Sequence, residues 1–205
     1  MRFIGDIHAN MKAYLTAVGN ATETIQVGDF GMGFYTPWEV VELQNMQRNE
    51  KTDHRFIRGN HDDKGSCRGM PGWISDGTYY PHLGMMCVGG AESIDKDFRT
   101  PGVDWWPDEE LSYRDFSIIC DAYSRVKPAI MVTHDAPHQI AEDLFRGGTH
   151  KPVYPTHTSS VFQAMLDIHR PDLWIFGHWH MTRRERIQGT DFICLDINEA
   201  LDIAL

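Results

Sequence analysis

Seven side chains able to hold a cation stand in five short clusters along the chain. They are Asp6 and His8 in Asp6-x-His8, Asp29 in Gly28-Asp29, Asn60 in Gly59-Asn60-His61-Asp62, His134, and His178 with His180 in Gly177-His178-x-His180. All are oxygen or imidazole donors and none is a thiolate, a donor set that suits borderline divalent ions such as Mn, Fe, Zn, Co or Ni. Magnesium alone would favour fewer imidazoles and more retained water. With this composition Gly-His-x-His is expected about 0.05 times and Gly-Asn-His-acid about 0.004 times, so finding both is not an accident of composition. Taken singly, Asp6 and Asn10 would read as turn and helix-cap residues and Asp29 as a loop acid. The ordered set is what gives them chemistry.

For groups so far apart in the chain to act together, an element must end at each of them. Short apolar runs do stop at every cluster: Phe3-Ile4 before Gly5-Asp6, Ile25-Gln26-Val27 before Gly28-Asp29, and Phe56-Ile57 before Arg58-Gly59-Asn60. Ala129 to Thr133 runs into His134, and Leu173 to Phe176 into Gly177-His178. Each reads as a buried strand feeding a loop. Two more strands are predicted at Met85–Val88 and Phe192–Leu195. Helical patterns fall at about 10–18, 38–48, 108–124 and 159–169, so strands and helices alternate as in an α/β fold. Segment 92–107 carries Pro, Gly and two Trp without clear periodicity, and segment 146–158 is similarly irregular; both are candidate lids.

At 205 residues the chain is read as one domain, 1–205, with 41% apolar and 23% charged residues, enough to bury a sizeable core. Its 29 acidic against 19 basic residues leave a net charge of −10. That disfavours an extended nucleic acid or an anionic membrane as partner, but not a phosphate substrate, because bound cations would offset acids at the site. The four cysteines form no C-x-x-C pair and read as small buried residues of a reducing compartment. MRFIGDIHAN turns polar too soon for a signal peptide and no apolar run is long enough to span a bilayer, so a cytoplasmic protein is expected.

The ordered motifs D-x-H, G-D, G-N-H-D, H and G-H-x-H, spanning positions 5–180, resemble those of the calcineurin-like metallophosphoesterases. The resemblance implies two facing β-sheets flanked by helices, with two divalent metal ions, manganese favoured, at the strand ends. Carried over, it places one ion on Asp6, His8, Asp29 and His180 and the other on Asp29, Asn60, His134 and His178, with the Asp29 carboxylate bridging. A carboxylate bridge holds two cations ~3.5–4 Å apart, close enough to share a hydroxide and to bind phosphoryl oxygens. The implied activity is hydrolysis of a small or nucleotide-like phosphomonoester or phosphodiester. In it the shared hydroxide attacks, His61 protonates the leaving oxygen, and Asp62 supports the site as an acid behind it.

Among relatives of this kind, the protein serine/threonine phosphatases continue the second motif as G-D-x-V-D-R-G and close the third as G-N-H-E. Here the runs are GDFGMGF and GNHD, so that branch is an alternative only. A metal-site scaffold without turnover is another, although it would be expected to lack the histidine found at 61. For the substrate, Arg58, Arg68 and Arg99 are candidate phosphate ligands, since guanidinium matches phosphate oxygens in a bidentate fork. Trp105, beside Trp106 on the first lid, could stack on an organic group. Asp135 could hold a ligand histidine or cap the next turn, and His138 stands close enough in sequence to be of interest. His54, His82, His150, His157 and His169 read as surface or core residues.

Overall fold

The computed structural model describes residues 1–148 and 152–205. Among these, ten strands build two sheets. In the first, β1 (Arg2–Ile4), β2 (Glu23–Gln26) and β3 (Asp53–Phe56) run parallel, and β10 (Ala200–Asp202) pairs antiparallel with β1. The second contains β4 (Thr78–Tyr80), β5 (Met85–Val88), β6 (Ile130–Thr133), β7 (Leu173–Phe176), β8 (Arg183–Ile187) and β9 (Thr190–Cys194), in the order β4-β5-β6-β7-β9-β8. Its four inner strands are parallel and the edges β4 and β8 antiparallel. This is the α/β architecture of two facing sheets flanked by helices that the motifs imply.

Strand alternation assigns the layers. Phe3, Ile25, Val27 and Ile57 from the first sheet meet Met85, Cys87, Val132, Ile175 and Leu195 from the second in one core between the sheets. The other face of the first sheet, with Ile4 and Phe56, packs on residues of α1 (Met11–Val18), α2 (Pro37–Gln47) and the single turn α3 (Lys64–Cys67). Met86, Met131, Trp174, Phe176 and Phe192 pack on α4 (Tyr113–Val126), α5 (His138–Phe145) and α6 (His157–Ile168). The inner strands are therefore buried on both faces, which is why they read as unbroken apolar runs.

All seven predicted strands are present. The helix predicted at 108–124 begins only at Tyr113, capped by Ser112, whose hydroxyl accepts from Asp115 N at 3.1 Å. Residues 108–110 cannot join it because their carbonyls turn to the Arg58 guanidinium. The helix predicted at 159–169 starts at His157, two residues sooner, because Thr156 supplies the cap. Helix α5, the single turn α3 and the three-residue strands β4 and β10 were not predicted. Segment 92–107 is irregular apart from one 3-10 turn at Lys96–Phe98. In the second candidate lid, residues 149–151, His150 with them, lie outside the described residues, and 157–158 belong to α6. Cys67, Cys87 and Cys194 are buried, and none of the four cysteines forms a disulfide.

Candidate metal centre and active site

Because β1, β2 and β3 are parallel, and β6 and β7 likewise, the loops after these five strands all open at one edge of the sandwich. They carry Asp6 and His8, Asp29, Asn60 and His61, His134, and His178 and His180. The turns are tight. His8, Asp29, His178 and His180 all have positive φ, between 49° and 66°, a conformation rare for side chains other than glycine and typical of functional sites. Glycine is required beside them: a Cβ on Gly59 would sit 2.1 Å from Asp29 Oδ1 and 2.7 Å from His134 Nε2, and one on Gly28 would sit 2.3 Å from His134 Nδ1.

Four of the donors, Asp6, His8, Asp29 and His180, each place one ligand atom within 4.8 Å of the others. His180 Nε2 lies 3.0 Å from Asp6 Oδ2 and 3.2 Å from His8 Nε2. Asp6 Oδ2 and Asp29 Oδ2 are buried and accept no hydrogen bond. A buried carboxylate oxygen without a donor is costly, and a cation between these groups removes the cost.

The second group centres on Asn60. Its Oδ1 is 3.1 Å from both His134 Nε2 and His178 Nδ1, and Asp29 Oδ1 is 3.2 Å from the same His134 nitrogen. His134 Nδ1 donates to Val27 O at 2.9 Å, so in the neutral ring Nε2 presents a lone pair to oxygen lone pairs. Such a meeting of acceptors needs a proton or a metal ion. Without metal the proton is favoured: burial opposes it, but the Asp29 carboxylate outweighs burial and raises His134 to about 9. Burial likewise works against the Asp29 charge, yet His134, His61 and His8 together hold that carboxyl well below its ordinary range. The donor set thus fits metal on chemical grounds at both groups.

His61 stands beside these donors, its backbone N–H donating to Asp29 Oδ1 at 2.8 Å. Its Nδ1 is 3.2 Å from Arg99 Nη1. Arginine can only donate, so Nδ1 accepts and the neutral ring carries its proton on Nε2. Burial, with help from the Arg99 charge and against Asp29, lowers the His61 pKa below its ordinary value. Arg99 is itself held by Asp95 Oδ1 at 2.7 Å and by Asp104 O at 3.0 Å. A cavity of about 390 Å³ is lined by His8, Phe34, His61 and Arg99.

Arg58, Arg68, Trp105 and His138 do not join the donors, whereas Asp62 and Asp135 support the loops that carry them. Arg58 is fully buried, bonded to Asp76 Oδ2 at 3.0 Å and to the carbonyls of Asp108, Glu109 and Glu110, so it clamps the loop base and has no route to a substrate. Asp62 is a buried acid behind the donors: its carboxylate accepts backbone N–H bonds from Phe30, Gly31, Met32 and Gly59, tying the loop after β2 to the loop after β3. Trp105 does not line the cavity, and Trp106 is buried edge-on to Phe34, with ring centres 5.1 Å apart. Arg68 ends α3 and is exposed, and His138 pairs with Glu142 on α5 at 3.7 Å. Asp135 accepts from Trp179 Nε1 at 3.0 Å and from Ala136 N, joining the loop of His134 to that of His178. Phe34, 43% exposed at the cavity, was missed; its only sequence signal was an aromatic closing the run GDFGMGF.

The sequence profile of the calcineurin-like phosphoesterases matches residues 2–182, and the chain belongs to that family. Among solved structures it is similar to a dimetal phosphatase from Danio rerio, with 11% identity and a TM-score of 0.56 over 97% of this chain and 88% of that one. GAP50, the anchor in the inner membrane complex of Plasmodium, is similar at 11% identity and TM-score 0.57, over 97% and 72% of the two chains. The TT1561 protein of Thermus thermophilus is similar at 8% identity and TM-score 0.55, over 96% and 89%. At these identities the likeness is one of fold. A search of curated proteins gave no significant match. No helix among the described residues is long and apolar enough to cross a membrane.

Proposed function

We propose that this protein is a dinuclear metal-dependent phosphoester hydrolase acting on a small phosphate ester, manganese being the favoured metal. The observation that carries the reading is the pair of buried carboxylate oxygens, Asp6 Oδ2 and Asp29 Oδ2, that accept no hydrogen bond while imidazole nitrogens converge on them. Asp6, His8, Asp29 and His180 would hold one ion and Asn60, His134 and His178 the other, with Asp29 shared. When bound, the two ions supply an activated water and neutralise charge on the phosphoryl oxygens.

The chain's own groups do the rest. Arg99, pinned by Asp95 and Asp104, offers a fixed cation at the cavity for phosphate oxygens. His61, with a proton on Nε2, can protonate the leaving oxygen. Phe34 gives an apolar wall for the organic group of the ester. A cavity of about 390 Å³ fits a small ester better than a protein surface, and the net charge of −10 disfavours a long nucleic acid.

The test is Asp29→Asn, assayed on bis-p-nitrophenyl phosphate and p-nitrophenyl phosphate with manganese, with elemental analysis after desalting. A neutral amide cannot bridge two cations, so turnover is expected to vanish and metal content to fall from two ions per chain. Two ions retained with a near-normal rate would overturn the assignment.

A further inference from the structure

The Asn60 side chain is the one donor in the site whose two ends are chemically opposite: Oδ1 can hold a metal ion, whereas the Nδ2 amino group cannot. Which end faces the metal is therefore a matter of amide orientation. With both imidazoles deprotonated, as metal binding requires, the orientation with Nδ2 inward would be the better hydrogen bond, because His134 Nε2 and His178 Nδ1 could then accept from it. Something must hold the amide the other way round.

That partner lies at the base of segment 92–107. Asn60 Nδ2 donates to Ser93 Oγ at 3.0 Å, and Ser93 Oγ donates to Glu109 Oε2 at 2.5 Å. The Ser93 backbone N–H donates to Glu109 Oε1 at 3.0 Å, so both carboxylate oxygens are engaged as acceptors. Asn60, Ser93 and Glu109 are all buried. A carboxylate only accepts. Ser93 must therefore spend its single hydroxyl proton on Glu109, and its oxygen can only accept from Asn60. The polarity of the relay then leaves Oδ1 as the end that points to His134 and His178.

The geometry points to Ser93 and Glu109 as the positioning pair that orients the Asn60 amide for metal, which makes occupancy of the second position depend on the base of the loop. This rests on the dinuclear reading above. The pair bridges the two ends of the loop that carries Arg99. The same Glu109 is fixed through its carbonyl by Arg58, which directly precedes Gly59-Asn60 in the chain. The loop that brings Arg99 to the cavity and the amide that completes the second cluster are thus parts of one hydrogen-bonded unit.

Glu109→Gln tests the polarity with almost no change of shape. The Ser93 N–H still requires an oxygen, so glutamine would turn its NH2 toward Ser93 Oγ. Ser93 then donates to Asn60, and the amide reverses. Titration of the full-length metal-free protein with manganese alone, followed by calorimetry, should show two ions on the parent. On Glu109→Gln, one site should be weakened by about 10–100-fold, with the fold retained by circular dichroism. Adding Asn60→Asp to Glu109→Gln should restore two ions, since a carboxylate has no donor end to misplace. Ser93→Ala, which removes the relay, should weaken the same site by about tenfold and keeps the test available if Glu109→Gln does not fold. Unchanged affinity in the folded single variants, or loss in Glu109→Gln that Asn60→Asp does not rescue, would overturn the inference. Fewer than two ions on the parent would instead overturn the dinuclear reading, and this inference with it.

Discussion

In the proposed function, His61 and Arg99 would divide the work that a phosphate ester asks of side chains. The histidine holds a proton near the metal donors, and the arginine, fixed from two sides, fixes the histidine in turn. Since His61 binds no ion in this reading, His61→Ala should leave metal content unchanged. Turnover should fall by about 10²–10⁴-fold for an alkyl ester, whose leaving oxygen needs a proton, and by much less for a nitrophenyl ester. Steady-state kinetics on the two esters decides it, because an equal loss on both would make His61 a phosphate ligand. Ligand types at this scale were legible in the sequence: oxygen and imidazole donors at strand ends have few other uses. Roles carried by a side chain's surroundings were not. Asp62 reads as an acid beside a histidine, yet its oxygens are spent on four backbone N–H groups contributed by two loops.

Among the elements, the loop from 92 to 110 owes its position to one buried guanidinium. Arg58 leaves β3 next to the metal-donor cluster and takes up the carbonyls of Asp108, Glu109 and Glu110, while Asp76 balances its charge. Arg58→Met keeps the volume but leaves three carbonyls in the interior without their donor and Asp76 with only the more distant Lys64, at 3.6 Å, as counter-charge. Removing one partner of a buried ion pair costs about 3–5 kcal/mol, so the denaturant midpoint should drop accordingly, with the slope unchanged. A loss below about 1 kcal/mol would show that water replaces the clamp. The sequence offered Arg58 as a phosphate ligand because guanidinium matches phosphate oxygens in a bidentate fork. Its burial depends on carbonyls about fifty positions away, which no local pattern reports.

For the whole molecule, two sheets joined face to face bring seven donors to one edge at the cost of crowding acceptors together. Without metal, His134 is raised to about 9 in the folded chain, against about 6.5 in the unfolded one. The extra proton stabilises the metal-free fold fully below about pH 6.5, and this contribution is lost as pH rises through 9. The low pKa of Asp29 acts on the acid side of that window and does not offset it. Thermal unfolding in chelator should therefore show Tm falling between pH 6.5 and 9, with His134→Asn flattening that limb. Manganese, which competes with the same proton, should raise Tm more at pH 9 than at pH 6.5. A chelated protein whose Tm is flat across the window would remove His134 as the proton's seat.

The sequence by itself determined the inner strands, the donors at their ends and the alternation that makes an α/β chain. Each is a local matter of apolar runs, tight glycine turns and side-chain chemistry, and each leaves a pattern within about ten residues. Tertiary structure alone decided which polar groups face the cavity. Arg58 and Asp62 went to buried backbone, Arg99 to His61, Phe34 to the cavity wall, and Ser93 with Glu109 to the back of Asn60. The physical reason is that a polar side chain is assigned by whichever buried partner would otherwise go unsatisfied. That partner usually lies on a different strand, brought near only when the two sheets close.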